Sequence, residues 1–109
     1  MATRIKLVTG TGIGTSETQL GSNIQPPSGV KWTLVEIRPY ASAAGKIRIY
    51  FDTELYYELY SKVTPMAVPK PHAVALDVMS PHFISVKALA DSGTADFAVE
   101  LVIEESPAT

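Results

Sequence analysis

Ten residues near the C-terminal end constrain the fold more than any other feature. In "ADFAVELVIE", residues 95–104, Ala95, Phe97, Val99, Leu101 and Ile103 take every second position, while Asp96, Glu100 and Glu104 fall among the residues between them. Strand side chains alternate between faces, so an extended chain gathers the apolar residues on one side. A helix would scatter them around its circumference. The run before it, "HFISVKALA" (residues 82–90), alternates Ile84, Val86 and Ala88 with Phe83, Ser85, Lys87 and Leu89. Both of its faces are partly apolar, which suits a strand inside a sheet or at a subunit contact. Joined at Asp91-Ser92-Gly93, the two runs read as a β-hairpin.

The same period recurs upstream. "VKWTLVEIRPY" (residues 30–40) and "GKIRIYFD" (residues 45–52) are β-branched and aromatic runs separated by small residues, and they read as a second antiparallel pair. In the latter, Ile47, Ile49 and Phe51 form the inward set against Lys46, Arg48 and Tyr50. "TRIKLV" (residues 3–8) reads as a short edge strand with Ile5 and Leu7 inward and Arg4 and Lys6 outward, where cations discourage edge-to-edge pairing. Residues 52–60 fit a strand face through Leu55, Tyr57 and Leu59 and also a helical stripe through Leu55 and Leu59, with the three tyrosines favouring the strand. Pro65, Pro69 and Pro71 forbid a regular helix and fit an extended crossing between sheets. "HAVALDVM" (residues 72–79) supplies one more strand. The expectation is an all-β chain of seven or eight short strands in a single antiparallel sandwich over residues 1–109, with jelly-roll or Greek-key connections and little or no helix.

Composition narrows the function classes. Among 109 residues, nine Lys and Arg face eleven Asp and Glu, for a net charge of -2 with no basic cluster, so no groove for a nucleic-acid backbone is expected. Cysteine is absent, which removes thiol nucleophiles, cysteine zinc sites and disulfide staples. No run is apolar enough for a signal-peptide core or a membrane span, so neither secretion by the usual route nor a membrane partner is expected.

Catalytic and cofactor chemistry finds little support in the residues. Gly10, Gly12 and Gly14 look like a phosphate cradle, but their G-x-G-x-G spacing is neither the dinucleotide fingerprint nor a Walker loop, and no helical stripe follows. The stretch reads instead as a Gly/Thr/Ser-rich arm or loop over residues 9–29, with Gly10, Gly12, Ile13 and Gly14 as candidate assembly contacts. His72 and His82 are the only histidines and lack compact metal-ligand spacing. They read as turn and strand-start residues, and no nucleophile elbow accompanies them. Glu104 and Glu105 point to opposite faces of an extended strand, so they cannot converge on a glycosidic bond. Glu54 and Glu58 read as solvated, and Glu36 as an ion-pair partner of a neighbouring strand. No cofactor or metal is expected.

Aromatic residues are the most suggestive surface candidates: Trp32, Tyr40, Tyr50, Tyr56, Tyr57 and Tyr60. Tyrosine joins a rigid apolar ring to a polar tip, a combination suited to protein interfaces and to stacking on sugars. Two non-catalytic classes follow, an assembly protein and a carbohydrate- or receptor-binding module. Taken together, "VKWTLVEIRPYASAAGKIRIYFD", the Pro-rich crossing and "PHFISVKALADSGTADFAVELVIEE" resemble the small jelly-roll-type β-sandwich proteins that decorate viral capsids. That resemblance implies a virion structural protein made in the host cytoplasm. It would be a homo-oligomer such as a trimer, bound to a major capsid or other shell protein at the capsid surface, with the N-terminal arm as an anchor.

Overall fold

The computed structural model describes residues 2–61 and 72–107, which form eight β-strands and no helix. They are β1 (Ala2–Ile13), β2 (Thr18–Ile24), β3 (Val30–Ala41), β4 (Gly45–Phe51), β5 (Glu54–Ser61), β6 (His72–Met79), β7 (Ile84–Ala90) and β8 (Ala95–Pro107). A first sheet has the order β1-β8-β3-β6 and a second the order β2-β7-β4-β5, with every pairing antiparallel. Strands 1 and 8, 2 and 7, 3 and 6, and 4 and 5 are all neighbours. One long hairpin, tipped at β4 and β5 and rolled into two layers, produces this order, and it is the jelly roll.

The roll corrects two pairings expected from neighbouring runs. β7 and β8 are consecutive in sequence but lie in different sheets, as do β3 and β4. Each of these strands carries a buried row, so chain neighbours face each other across the core instead of hydrogen-bonding side by side. Only β4 and β5 form a sequence-adjacent ladder, turning at Asp52 and Thr53. Residues 52–60 accordingly hold the second strand of a hairpin, not a helix. β7 lies inside its sheet between β2 and β4, which accounts for its two partly apolar faces. The Pro-rich crossing falls largely on residues 62–71, outside the described residues.

Between the sheets lies a core drawn from all four hairpin pairs, including Leu20, Leu34, Ile37, Ile49, Val78, Val86, Phe97, Val99, Leu101 and Ile103. Each fully buried aliphatic or aromatic side chain stabilises the fold by roughly 1.5–3 kcal/mol relative to exposure. Two bulges keep long strands in phase with this core. In β3 the register shifts between Leu34 and Glu36, so the buried row passes from Trp32 and Leu34 to Ile37, Pro39 and Ala41. Pro39 stands two residues beyond Ile37, which pairs with His72 of β6, and lies opposite Val99 of β8. In β1 the register shifts between Gly10 and Ile13. Gly12 takes φ 62° there, a left-handed conformation that glycine adopts without strain, and Ile13 turns into the core.

Strand β1 reverses the facing expected of it. Its inward row is Lys6, Val8 and Gly10, while Ile5 and Leu7 point to solvent at 57% and 62% exposure. The reason lies at the far end of the chain. Arg4 and Lys6 reach past the apolar core to Glu105 and Trp32, which gives these cations partners on the inner side and leaves the alternate row outside.

Candidate functional site

At the Trp32 end of the sandwich, three strands meet in a small polar cluster. The Trp32 indole N–H and the Arg4 Nε–H both donate to Glu105 Oε1 at 2.8 Å, and Arg4 Nη2 donates to Oε2 at 3.3 Å. Lys6 Nζ lies 5.3 Å from the Trp32 ring centre, a cation–π contact. The Arg4 hydrogen bonds, reinforced by the indole, hold the Glu105 carboxyl below the usual carboxylate range. Trp32 is buried at the end of the core, and the little of its surface that remains borders an open groove beside Lys6.

The five tyrosines divide among different surfaces. Tyr40 is half-buried on the outer face of the first sheet, opposite Ala98. Tyr57 packs against the core opposite Ile49. Tyr56, beside it at 6.4 Å between ring centres, donates its hydroxyl to the Ala75 carbonyl at 3.0 Å and so ties β5 to β6 across the open side of the sandwich. Tyr50 and Tyr60 lie on the outer face of the second sheet, where each hydroxyl donates to a carboxylate: Tyr50 to Glu17 at 2.7 Å and Tyr60 to Asp91 at 2.6 Å. These bonds raise both phenol pKa values, since ionisation would set two anions side by side. The rings therefore form no single stacking platform.

Glu17 organises the outer face of the second sheet. Arg48 Nη1 donates to it at 2.8 Å, Arg48 Nε donates to Glu58 at 2.7 Å, and Lys87 Nζ stands 3.9 Å from Glu17 and 4.7 Å from the Tyr50 ring centre. The Arg48 hydrogen bond is the main cause of a lowered Glu17 pKa. On the first sheet, Arg38 pairs with Glu36 on its own strand and approaches Glu100 of β8 at 3.9 Å. The face thus satisfies most of its charge internally.

The glycine-rich stretch is strand rather than arm through much of its length. Thr9 to Ile13 complete β1, and β2 takes up Thr18–Ile24. Gly10 passes so close to β2 that an added Cβ would lie 2.5 Å from Leu20 Cδ2. The Gly12 N–H donates to Asp96 Oδ1 at 2.9 Å, Ile13 is buried, and the Gly14 carbonyl accepts the Ala90 N–H at 2.8 Å. Deleting residues 1–14 would strip Val8 and Ile13 from the core.

His82 pairs with Asp52, Nδ1 to Oδ2 at 2.7 Å, and stacks on Phe51 with ring centres 5.3 Å apart. Asp52, at φ 56°, also accepts the Phe83 N–H through Oδ1 at 3.1 Å, and its own N–H donates to the Phe83 carbonyl at 2.8 Å. The pair clasps the β4–β5 turn to the start of β7. Histidine leads the causes that lower the Asp52 pKa. Among the described residues no hydroxyl hydrogen-bonds to His82, and no three His, Cys, Asp or Glu side chains group around a metal-sized site. The side chain of His72 lies outside the described residues.

What the sequence reading missed is the outer row of β1: Thr3, Ile5, Leu7 and Thr9, opposite Glu104, Val102, Glu100 and Ala98 of β8. It carries no charge and ends a sheet. Val8 followed by Gly10 was the available signal, since that row continues into contact with β2. Beside Lys6 to Val8 an open groove of about 310 Å³ separates this edge from the β2 residues Gly21, Ser22 and Asn23. No known protein-family model matches the sequence, and no curated protein does.

Proposed function

We propose that the chain is a non-enzymatic virion structural protein that oligomerises and binds a capsid shell. One observation carries the reading: a jelly-roll sandwich whose edge strand β1 turns the uncharged row Thr3, Ile5, Leu7 and Thr9 outward. The unpaired main-chain groups of an edge strand template pairing with another chain, exposed apolar side chains favour it, and uncompensated charges on the strand oppose it. Here the nearby cations are drawn inward to Glu105 and Trp32. The jelly roll serves viral capsid and lectin domains alike, so the surface and not the fold separates them. A lectin role would need accessible rings gathered in one place, whereas Trp32 is buried and the tyrosines are dispersed.

Co-sedimentation with purified particles encoded by the same genome tests the reading. The expected result is saturable binding of a discrete oligomer to the particle surface. A monomer that leaves the particles unbound would overturn it.

A further inference from the structure

We infer that β1 is a dimerisation edge, pairing antiparallel with β1 of a second copy about a two-fold axis at Leu7. This inference deepens the assembly reading above and rests on it. β8 is the only strand that pairs with β1 among the described residues, so the other side of β1 ends the sheet. Antiparallel pairing about an axis perpendicular to the sheet brings together residues of the same face, so the axis must pass through a residue position.

Charge and the bulge then select the position. An axis at Ile5 sets Arg4 opposite Lys6 of the second copy, and one at Lys6 sets that lysine opposite itself. Like charges directly opposite on a sheet are destabilising. An axis at Leu7 sets Lys6 opposite Val8, Arg4 opposite Gly10, Ile5 opposite Thr9, and Leu7 opposite its own counterpart. That ladder runs over the seven residues 4–10 and stops where the β1 register shifts between Gly10 and Ile13. An axis at Val8 also avoids like charges but leaves only residues 6–10 before the shift.

Two further features fit a second copy. Leu7, on the axis, is 62% exposed, and pairing there sets it against its own counterpart, with Ile5 on either side, Glu100 of β8 beside Leu7 and Val102 beside Ile5. The open groove of about 310 Å³ beside Lys6 to Val8 gives room for the inward side chains of the incoming strand. The product is one continuous sheet of eight strands, β6-β3-β8-β1 from each copy, with no β1 edge remaining.

The absence of native cysteine makes a cross-linking test clean. Directly opposed residues of an antiparallel pair have Cα atoms about 4.5–5.5 Å apart, within the span of a disulfide. Under copper-phenanthroline oxidation, Leu7→Cys is expected to form covalent dimer at least about tenfold faster than Ser92→Cys, an exposed control in the β7–β8 connection. Ile5→Cys mixed with Thr9→Cys should cross-link, while Ile5→Cys alone should lag. Equal rates for Leu7→Cys and Ser92→Cys, or faster reaction of Ile5→Cys alone, would overturn the inference. A wild-type oligomer without Leu7→Cys preference leaves the assembly reading standing and removes this edge from it. Preferential Leu7→Cys cross-linking in a dimer that ignores the particles supports the edge and overturns capsid binding.

Discussion

On the outer face of the second sheet, Glu17 collects Arg48, Tyr50 and Lys87, so that most of the charge there ends on another side chain of the same molecule. The outer row of β1 in the first sheet has no such closure: Thr3, Ile5, Leu7 and Thr9 meet solvent with an open ladder beside them. The two surfaces offer a partner different things. A charged face that is satisfied within the monomer gains little from a partner, because exposed ion pairs contribute weakly and must be desolvated again. An apolar edge with unpaired main-chain groups gains both burial and hydrogen bonds.

Two leucines give the sharpest test of this difference. Leu34 is fully buried in β3 and Leu7 is exposed in β1. Leu34→Ala should cost about 2–5 kcal/mol in urea denaturation, as core leucine truncations do. Leu7→Ala in the monomer should stay within the ~0.5 kcal/mol typical of surface substitutions. Comparable losses at both positions would mean that β1 faces the other way. Leu7→Lys should leave the thermal midpoint of the monomer near wild type while abolishing its self-association, read by size-exclusion chromatography with light scattering.

How much of this was legible from the residues depends on which property is asked about. Alternation alone identified β4, with Ile47 and Ile49 inward, and the mixed faces of β7 suited a strand inside a sheet or at a subunit contact, of which the fold shows the first. It could not assign the faces of β1, because both rows hold apolar residues and the deciding partners, Trp32 and Glu105, lie far along the chain. It also could not choose hydrogen-bonding partners. A short connection such as Asp91-Ser92-Gly93 suits a hairpin as well as a step across the core, and the choice depends on all eight strands closing together. The tyrosines were recognised as surface candidates, but composition carries no information on which face each shares, and the fold disperses them.

Acid should weaken the second-sheet face selectively. The folded pKa of Glu17 is lowered from 4.5 mainly by the Arg48 hydrogen bond, so its contribution to stability is complete above the unfolded value. That contribution is lost as pH falls through the lower folded value, when the carboxylate takes up a proton and releases Arg48. Urea midpoints measured at about pH 7 and pH 3 should therefore fall less in Glu17→Gln than in wild type. Equal slopes would show that Arg48 holds Glu17 no more tightly than solvent does. Tyr50→Phe, which removes one exposed hydrogen bond from the same network, should have the least effect, a change in urea midpoint within the scatter of surface substitutions.

Sedimentation velocity of wild type beside Leu7→Lys, each over a range of concentrations, bears on the open β1 edge without any particle or ligand. Wild type should pass from monomer to dimer as concentration rises, and Leu7→Lys should remain monomeric throughout with an unchanged far-UV spectrum. A wild-type chain that stays monomeric at every concentration, or a Leu7→Lys variant that dimerises as wild type does, would contradict the role assigned to this edge.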